Sequence, residues 1–358
     1  MNLIYILLAI LMFGLMISIH ELGHFFAARL TGIPVKEFAI GFGPQIVSWK
    51  SKKHETKFYL KAMPLGGYCM FYGEDDINKK EADDPRALSN FHPLKRLITV
   101  FMGPMMNIVL AFVVALAVYA AQGIPVITGP YETVVTSVNQ ASPADAAGML
   151  PGDRILSING IKIDDNLSQV LDTQMEKAEG PLAVTIERGL KENARQEQLN
   201  ITPLYSEKEN RYLMGIMVNI SAPTELKKGS VGENLSSAYK LCVNYSGAII
   251  NALKGLITTG EGFEDMTGVV GVTDAIVKQS QVASFIVFPS MLIFISINLG
   301  IVNLFPFPGL DGSRILFLLY ELVRGKPAKH EAYVHAAGML ILFGFIIFIT
   351  LRDILRLF

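Results

Sequence analysis

Cysteine is nearly absent. The 358 residues hold two, Cys69 and Cys242, far apart and without paired spacing. That excludes a disulfide framework and a cysteine-based zinc site. Charge is also scarce: Asp, Glu, Lys and Arg make up 18% of the chain and nearly cancel, for a formal net charge of −1. Nothing in that balance points to nucleic acid, and no nucleic-acid partner is expected. What fills the space is apolar, with 51% of residues hydrophobic and a mean hydropathy of +0.39. That profile is too apolar for an ordinary soluble protein and fits a membrane protein with soluble insertions.

The first apolar run, residues 3–19, lacks the basic leading stretch and small-residue cleavage site of a secretory signal. It reads as a retained transmembrane helix of about 25 residues, ended by Thr31-Gly32-Ile33-Pro34. At its inner end stands His20-Glu21-Leu22-Gly23-His24. On a helix, positions i and i+4 share a face, so His20 and His24 present two imidazole nitrogens to one metal ion. Glu21 falls about 100° from His20, within reach of a water on that metal. Zinc suits imidazole ligands, and a catalytic zinc keeps one position for water; a neighbouring carboxylate then takes the proton of that water. A satisfied histidine pair in a helix bundle would show the same spacing. The location favours the metal, because three ionisable groups on a membrane-length apolar segment are expensive and mark function.

Residues 31–96 change character. Glycines and prolines punctuate short β-prone stretches at 35–40, 45–49 and 57–60, with Gly41-Phe42-Gly43-Pro44 and Pro64-Leu65-Gly66-Gly67-Tyr68 between and after them. This reads as hairpins with an apolar face, either associated with the membrane or forming a small soluble domain. Residues 97–121 are the second transmembrane segment, with Gly103-Pro104 and Asn107 inside it; an intramembrane Asn usually faces a partner helix. Residues 122–222 form a soluble insertion. Strands are expected at 133–138, 154–158 with 161–163, 182–188 and 197–203, a helix at 166–177, and a hairpin turn at Asn159-Gly160. The run from Ser142-Pro143-Ala144 through Leu150-Pro151-Gly152-Asp153 to Asn159-Gly160 resembles a PDZ domain of the bacterial, circularly permuted kind. Such a module holds an extended peptide or a chain terminus by strand addition. A second copy is not found in 223–282.

Residues 223–281 contain an amphipathic helix, set against the membrane and bundle or against the soluble domain. Residues 282–312 are the third transmembrane segment, running into Asn303-Leu304-Phe305-Pro306-Phe307-Pro308-Gly309-Leu310-Asp311-Gly312. Two prolines must break the helix there and free backbone groups at membrane depth. Asp311 is the candidate third ligand, since a carboxylate suits zinc beside two imidazoles; alone it would read as a helix cap. Asn303 either holds an unwound substrate or pins its helix to a neighbour. Residues 313–332 connect to a fourth segment at 333–358. Lys and Arg concentrate in 31–96 and recur at Arg314, Arg324, Lys326 and Lys329, which by the positive-inside rule puts both connections in the cytoplasm and the insertion outside.

Taken together, these motifs resemble the site-2 protease family, intramembrane zinc metalloproteases, and within it the bacterial RseP type, over most of the chain. The resemblance implies a polytopic α-helical membrane protein with about four transmembrane helices, a membrane-associated β-hairpin region and one soluble α+β PDZ-like domain. It implies one Zn2+ on His20, His24 and Asp311, with Glu21 catalytic and Asn303, Pro306 and Pro308 bordering the substrate. It further implies a bacterial inner-membrane enzyme, its active site toward the cytoplasm, that cleaves single-pass membrane proteins such as trimmed anti-sigma factors or remnant signal peptides. The single PDZ-like module departs from relatives that carry two. A catalytically inactive PDZ scaffold would keep the fold without needing Glu21. A transporter also uses broken helices, but no internal repeat supports one.

Overall fold

The computed structural model describes residues 3–74, 84–163, 170, 173–174, 180–189, 194–207, 211–260, 262–263, 266–283 and 287–356. Two compact units are formed, one by Met1–Gln122 with Gly229–Phe358 and the other by Gly123–Lys228.

Helix α1 (Leu3–Thr31) carries both histidines. It stops at Gly32, whose φ of +80° costs glycine little, and the Ile33 N–H closes back on the Ala28 carbonyl at 2.8 Å. Strand β1 (Val35–Lys50) then pairs antiparallel with β2 (Lys57–Phe71). The short strands expected from the sequence are joined here into two long ones. Gly41 and Gly43, at φ +85° and +84°, let the ladder bend through register shifts and continue. Phe38 lies in register with both Cys69 and Phe58. Phe25 of α1 meets Phe38 and Phe58, and Trp49 stacks on Phe58, with centroids 5.2–6.1 Å apart across the cluster. Helix α2 (Pro93–Gln122) starts on a proline, whose missing N–H is harmless at that position. It comes so close to α1 that a side chain at Gly23 would strike the Met102 backbone.

The Gly123–Lys228 unit is β-rich. Strand β3 (Ile124–Ile127) pairs with the closing strand β12 (Thr224–Lys227). Its main sheet holds β4 (Glu132–Val138), β5 (Arg154–Ile158), β6 (Ile161–Lys162), β7 (Leu182–Arg188), β8 (Arg195–Ile201) and β11 (Ile216–Ser221), ordered β11-β4-β5-β7-β8 with β6 beside β5. A one-turn helix, α3 (Pro143–Ala146), is capped by Ser142, and β9 (Leu204–Ser206) pairs with β10 (Arg211–Leu213). Val135, Ile155, Ile158, Val184 and Ile186 fill the core. Asn159 and Gly160 turn β5 into β6 with φ of 50° and 78°, the left-handed pair such a tight turn needs. Most of the helix expected at 166–177 lies outside the described residues; Val170, Thr173 and Gln174 are helical.

Helix α4 (Val231–Thr258) opens with a capping box between Ser230 and Glu233. Its buried face, Ala238, Cys242 and Ile249, packs on Ala111 and Ala115 of α2 and on Ile293 and Ile297 of a later helix. Helices α5 (Val269–Ala283) and α6 (Val287–Asn303) follow, then α7 (Asp311–Arg324) and α8 (Glu331–Arg356). About four transmembrane helices are expected from the sequence. Among the described residues three, α1, α2 and α8, are long and apolar enough to cross a membrane. Of the segment expected at 282–302, residues 284–286 lie outside the described residues, and α6, which covers the remainder from Val287, has 17 residues with Pro289 in its first turn. At 1.5 Å per residue α6 spans about 25 Å, less than the ~30 Å hydrocarbon core.

Candidate metal centre

His20 and His24 stand one turn apart on α1 with ring planes 85° to one another. Their Nε2 atoms are 3.2 Å apart. Asp311, the first residue of α7, brings Oδ2 to 3.1 Å from His20 Nε2 and 3.4 Å from His24 Nε2. The three donors are the group of metal-ligating side chains found among the described residues. With zinc–nitrogen and zinc–oxygen bonds of about 2.0–2.2 Å, a tetrahedral site sets its donors about 3.4 Å apart. The observed triangle fits. The chemistry fits too. His24 Nδ1 donates to the Thr99 carbonyl at 2.9 Å, which leaves its Nε2 as a lone pair. That lone pair, a second imidazole and a carboxylate converge in a buried place, an arrangement that calls for a cation. Asp311 does not cap α7: the cap position is Leu310 and no side chain caps the helix.

The partners behind the ligands are also in place. A side chain at Gly103 would enter the His24 ring, so glycine there lets α2 back the imidazole. Asn107, fully buried in α2, sets its side-chain amide 3.3 Å from His20 Nδ1. The atom set toward the ring is Nδ2, and the buried Oδ1 has no hydrogen-bond partner. A metal on Nε2 leaves the His20 proton on Nδ1, and the amide orientation that serves it turns the oxygen to the ring. Asn107→Leu is therefore expected to lower zinc affinity about 10- to 100-fold, while Asn107→Asp keeps an acceptor and most of the affinity. Competition against a fluorescent chelator measures both; equal losses would show that Asn107 only packs.

Glu21 faces the same space. Its Oε2 accepts the Cys69 N–H at 2.9 Å, a donor on the edge of β2 that β1 leaves open. A cavity of about 430 Å³ is lined by His20, Glu21, His24, Asp311, Asn303 and Arg314, among others. Arg314 sits one turn beyond Asp311 and pairs with Glu74, whose other oxygen accepts the Phe71 N–H at 3.1 Å. The helix presenting Asp311 is thus tied to the strand that holds Glu21. Of the three residues expected to border substrate, Asn303 ends α6 and lines the cavity. Pro306 and Pro308 lie in the turn between α6 and α7, outside the cavity lining; a side chain at Gly338 of α8 would strike Pro308. Thr99, Glu74 and Arg314 are not read from the sequence as parts of the site. Arg314 has a signal, its place one turn after Asp311; the Thr99 contact is through a backbone carbonyl and has none.

Two imidazoles on a membrane-length apolar helix and a carboxylate brought to them, with a glutamate beside them, define a zinc metalloprotease with its metal site on a membrane helix. The chain belongs to peptidase family M50, the site-2 protease type of zinc metalloprotease: the family's model matches residues 8–345. It is 32% identical over 356 residues to a provisionally named zinc metalloprotease of Clostridium acetobutylicum, covering 99% of this chain and 98% of that one. A similarly named protein of Campylobacter jejuni is 31% identical over 363 residues, covering 98% and 93%. The regulator of sigma-W protease RasP of Bacillus subtilis is 30% identical over 431 residues, covering 98% of each.

Proposed function

We propose that this protein hydrolyses peptide bonds within the membrane-spanning segments of single-pass membrane proteins, with Glu21 as the proton-transferring residue. The observation that carries this reading is one cavity lined by the His20–His24–Asp311 triangle, Glu21 and the Tyr68–Cys69 stretch of β2. A zinc ion on the triangle supplies Lewis acidity toward the scissile carbonyl and toward water. Glu21 takes one proton from the attacking water as its oxygen bonds to the carbonyl carbon, and gives that proton to the leaving amine as the C–N bond breaks. The Cys69 N–H anchors one Glu21 oxygen and leaves the other for this work.

A substrate helix satisfies its own amides and must unwind before cleavage. The outer edge of β2, which no other strand pairs among the described residues, offers backbone pairing to an extended segment beyond the donors that Glu21 and Glu74 hold, and Asn303 adds a donor and an acceptor. Pro306 and Pro308 have no N–H and cannot continue α6, and they are read as bordering the substrate. The Gly123–Lys228 unit is read as a PDZ-like domain that receives a peptide or chain terminus beside residues 149–153 and regulates access. By the positive-inside rule the metal ligands lie toward the cytoplasm of a bacterial inner membrane and this domain lies outside. The Bacillus subtilis relative's name ties it to sigma-W, which favours an anti-sigma factor already trimmed elsewhere as one substrate, with remnant signal peptides as another.

The test is a single-pass reporter in proteoliposomes with the full-length protein. New termini inside the apolar span, found by mass spectrometry, are the expected result; cleavage confined to soluble loops would overturn the reading. Within that assay Asn303→Ala is expected to slow cleavage about 10-fold, the loss of one or two hydrogen bonds, with zinc content and melting temperature unchanged. Parallel loss of stability and activity would make Asn303 a packing residue.

A further inference from the structure

Helix α7 presents Asp311 at its first residue, and what holds its other end bears on the metal site. There α7 stops at Gly325 and the chain turns into α8. A cavity of about 690 Å³ lies in this turn, lined by Arg324, Lys326, Lys329 and His330 together with Phe317 and Tyr320. All four basic residues are exposed. Arg324 lies over the Tyr320 ring; among the described residues Lys326, Lys329 and His330 have no ion-pair partner. The acidic groups nearby are fewer: Glu321 is paired with Arg96, and Glu331, which also lines the cavity, is 3.9 Å from His335.

Beside this cationic pocket runs an apolar face. Leu316, Leu319, Tyr320 and Val323 follow one another at helical spacing along α7, and each is 44–86% exposed. On α8, Tyr333 and Leu340 are likewise exposed, at 74% and 75%. The turn also stands at the start of a membrane-length helix, where tyrosines and basic residues settle at the headgroup level. A soluble anion has no use for the apolar face, and an acidic protein segment has no use for its place at the mouth of a spanning helix. We propose that this pocket binds the headgroup of an anionic phospholipid, whose acyl chains lie along the exposed faces of α7 and α8, and that the bound lipid steadies α7 and with it Asp311.

The test uses the full-length protein in nanodiscs of phosphatidylcholine, with or without phosphatidylglycerol, against Arg324→Gln/Lys326→Gln/Lys329→Gln. Lipid carried through detergent exchange is counted by native mass spectrometry, and cleavage of the single-pass reporter is followed in the same discs. Each basic residue near an anionic surface contributes about 5-fold in affinity, so the triple variant is expected to retain phosphatidylglycerol up to about 100-fold more weakly. In wild type, cleavage rises with phosphatidylglycerol; in the variant it does not. Arg324→Lys/Lys326→Arg/Lys329→Arg keeps the charge and is expected to behave as wild type. Equal retention of the two lipids by wild type would overturn the proposal, as would displacement of phosphatidylglycerol by inorganic phosphate, which would mark a soluble-anion site. If the triple variant unfolds, the wild-type lipid selectivity and its weakening by salt decide the matter alone. Lipid retention is read without catalysis, so a failure of the protease reading leaves this result distinct.

Discussion

Glu21→Gln is expected to keep its zinc and lose peptide hydrolysis by about 10²- to 10⁴-fold, the range that a positioned acid–base group contributes. The substitution is nearly isosteric. An amide oxygen still accepts the Cys69 N–H that Glu21 Oε2 now accepts at 2.9 Å, so the side chain stays where it is. Glu21 is not one of the three converging donors, so metal retention is unaffected. What changes is the second terminal atom, which becomes an NH2 group with no means of taking a proton from water. Zinc by elemental analysis and reporter cleavage in proteoliposomes separate the two quantities. Turnover near wild type with zinc retained would remove Glu21 from the chemistry and leave it a structural partner of β2. An inactive scaffold predicts neither zinc dependence nor any effect of this change.

What the sequence made legible was local. The i, i+4 histidines, the Gly-then-Pro end of α1 and the Asn159-Gly160 turn each follow from short-range geometry, and the structure has all three. The β-region was legible as strands but not as a bent two-stranded ribbon, because the left-handed glycines that carry the ladder past 41–43 read equally well as breaks. The membrane count rests on apolar character alone: about four segments are expected, and three helices among the described residues have the length and composition to cross. Residues 282–302 are apolar with scattered Ser and Asn, and α6, which covers them from Val287, is 17 residues long. Long-range partners were least legible. His24 with the Thr99 carbonyl, 75 residues away, and Arg314 with Glu74, 240 away, depend on tertiary packing and leave no periodic trace.

Asp311 tests the metal centre most directly, because two readings of it differ in every variant. Asp311→Asn, Asp311→Ser and Asp311→Ala are all expected to lose zinc by more than the about 100-fold that changes behind the ligands cost, and to lose cleavage in proportion. Asn keeps the shape but brings a neutral oxygen to a buried cation; Ser and Ala bring nothing within reach. Asp311→Glu is expected to recover little. Oδ2 already lies 3.1 and 3.4 Å from the two Nε2 atoms, and α7 is held by the Arg314–Glu74 pair, so an added methylene pushes the carboxylate past the site. A helix-capping Asp311 predicts a different order: Ser and Asn, good caps, would preserve function, and Ala would cost about 1 kcal/mol of stability. The negative charge near the start of α7 does contribute, about 0.3–1 kcal/mol toward the helix dipole. That term moves the melting temperature slightly in all three neutral variants and leaves zinc untouched. Zinc content measured beside thermal unfolding therefore decides. Zinc lost from Asp311→Ser with stability nearly intact makes Asp311 a ligand; zinc retained and cleavage preserved in Asp311→Ser removes Asp311 from the metal and dissolves the three-donor site.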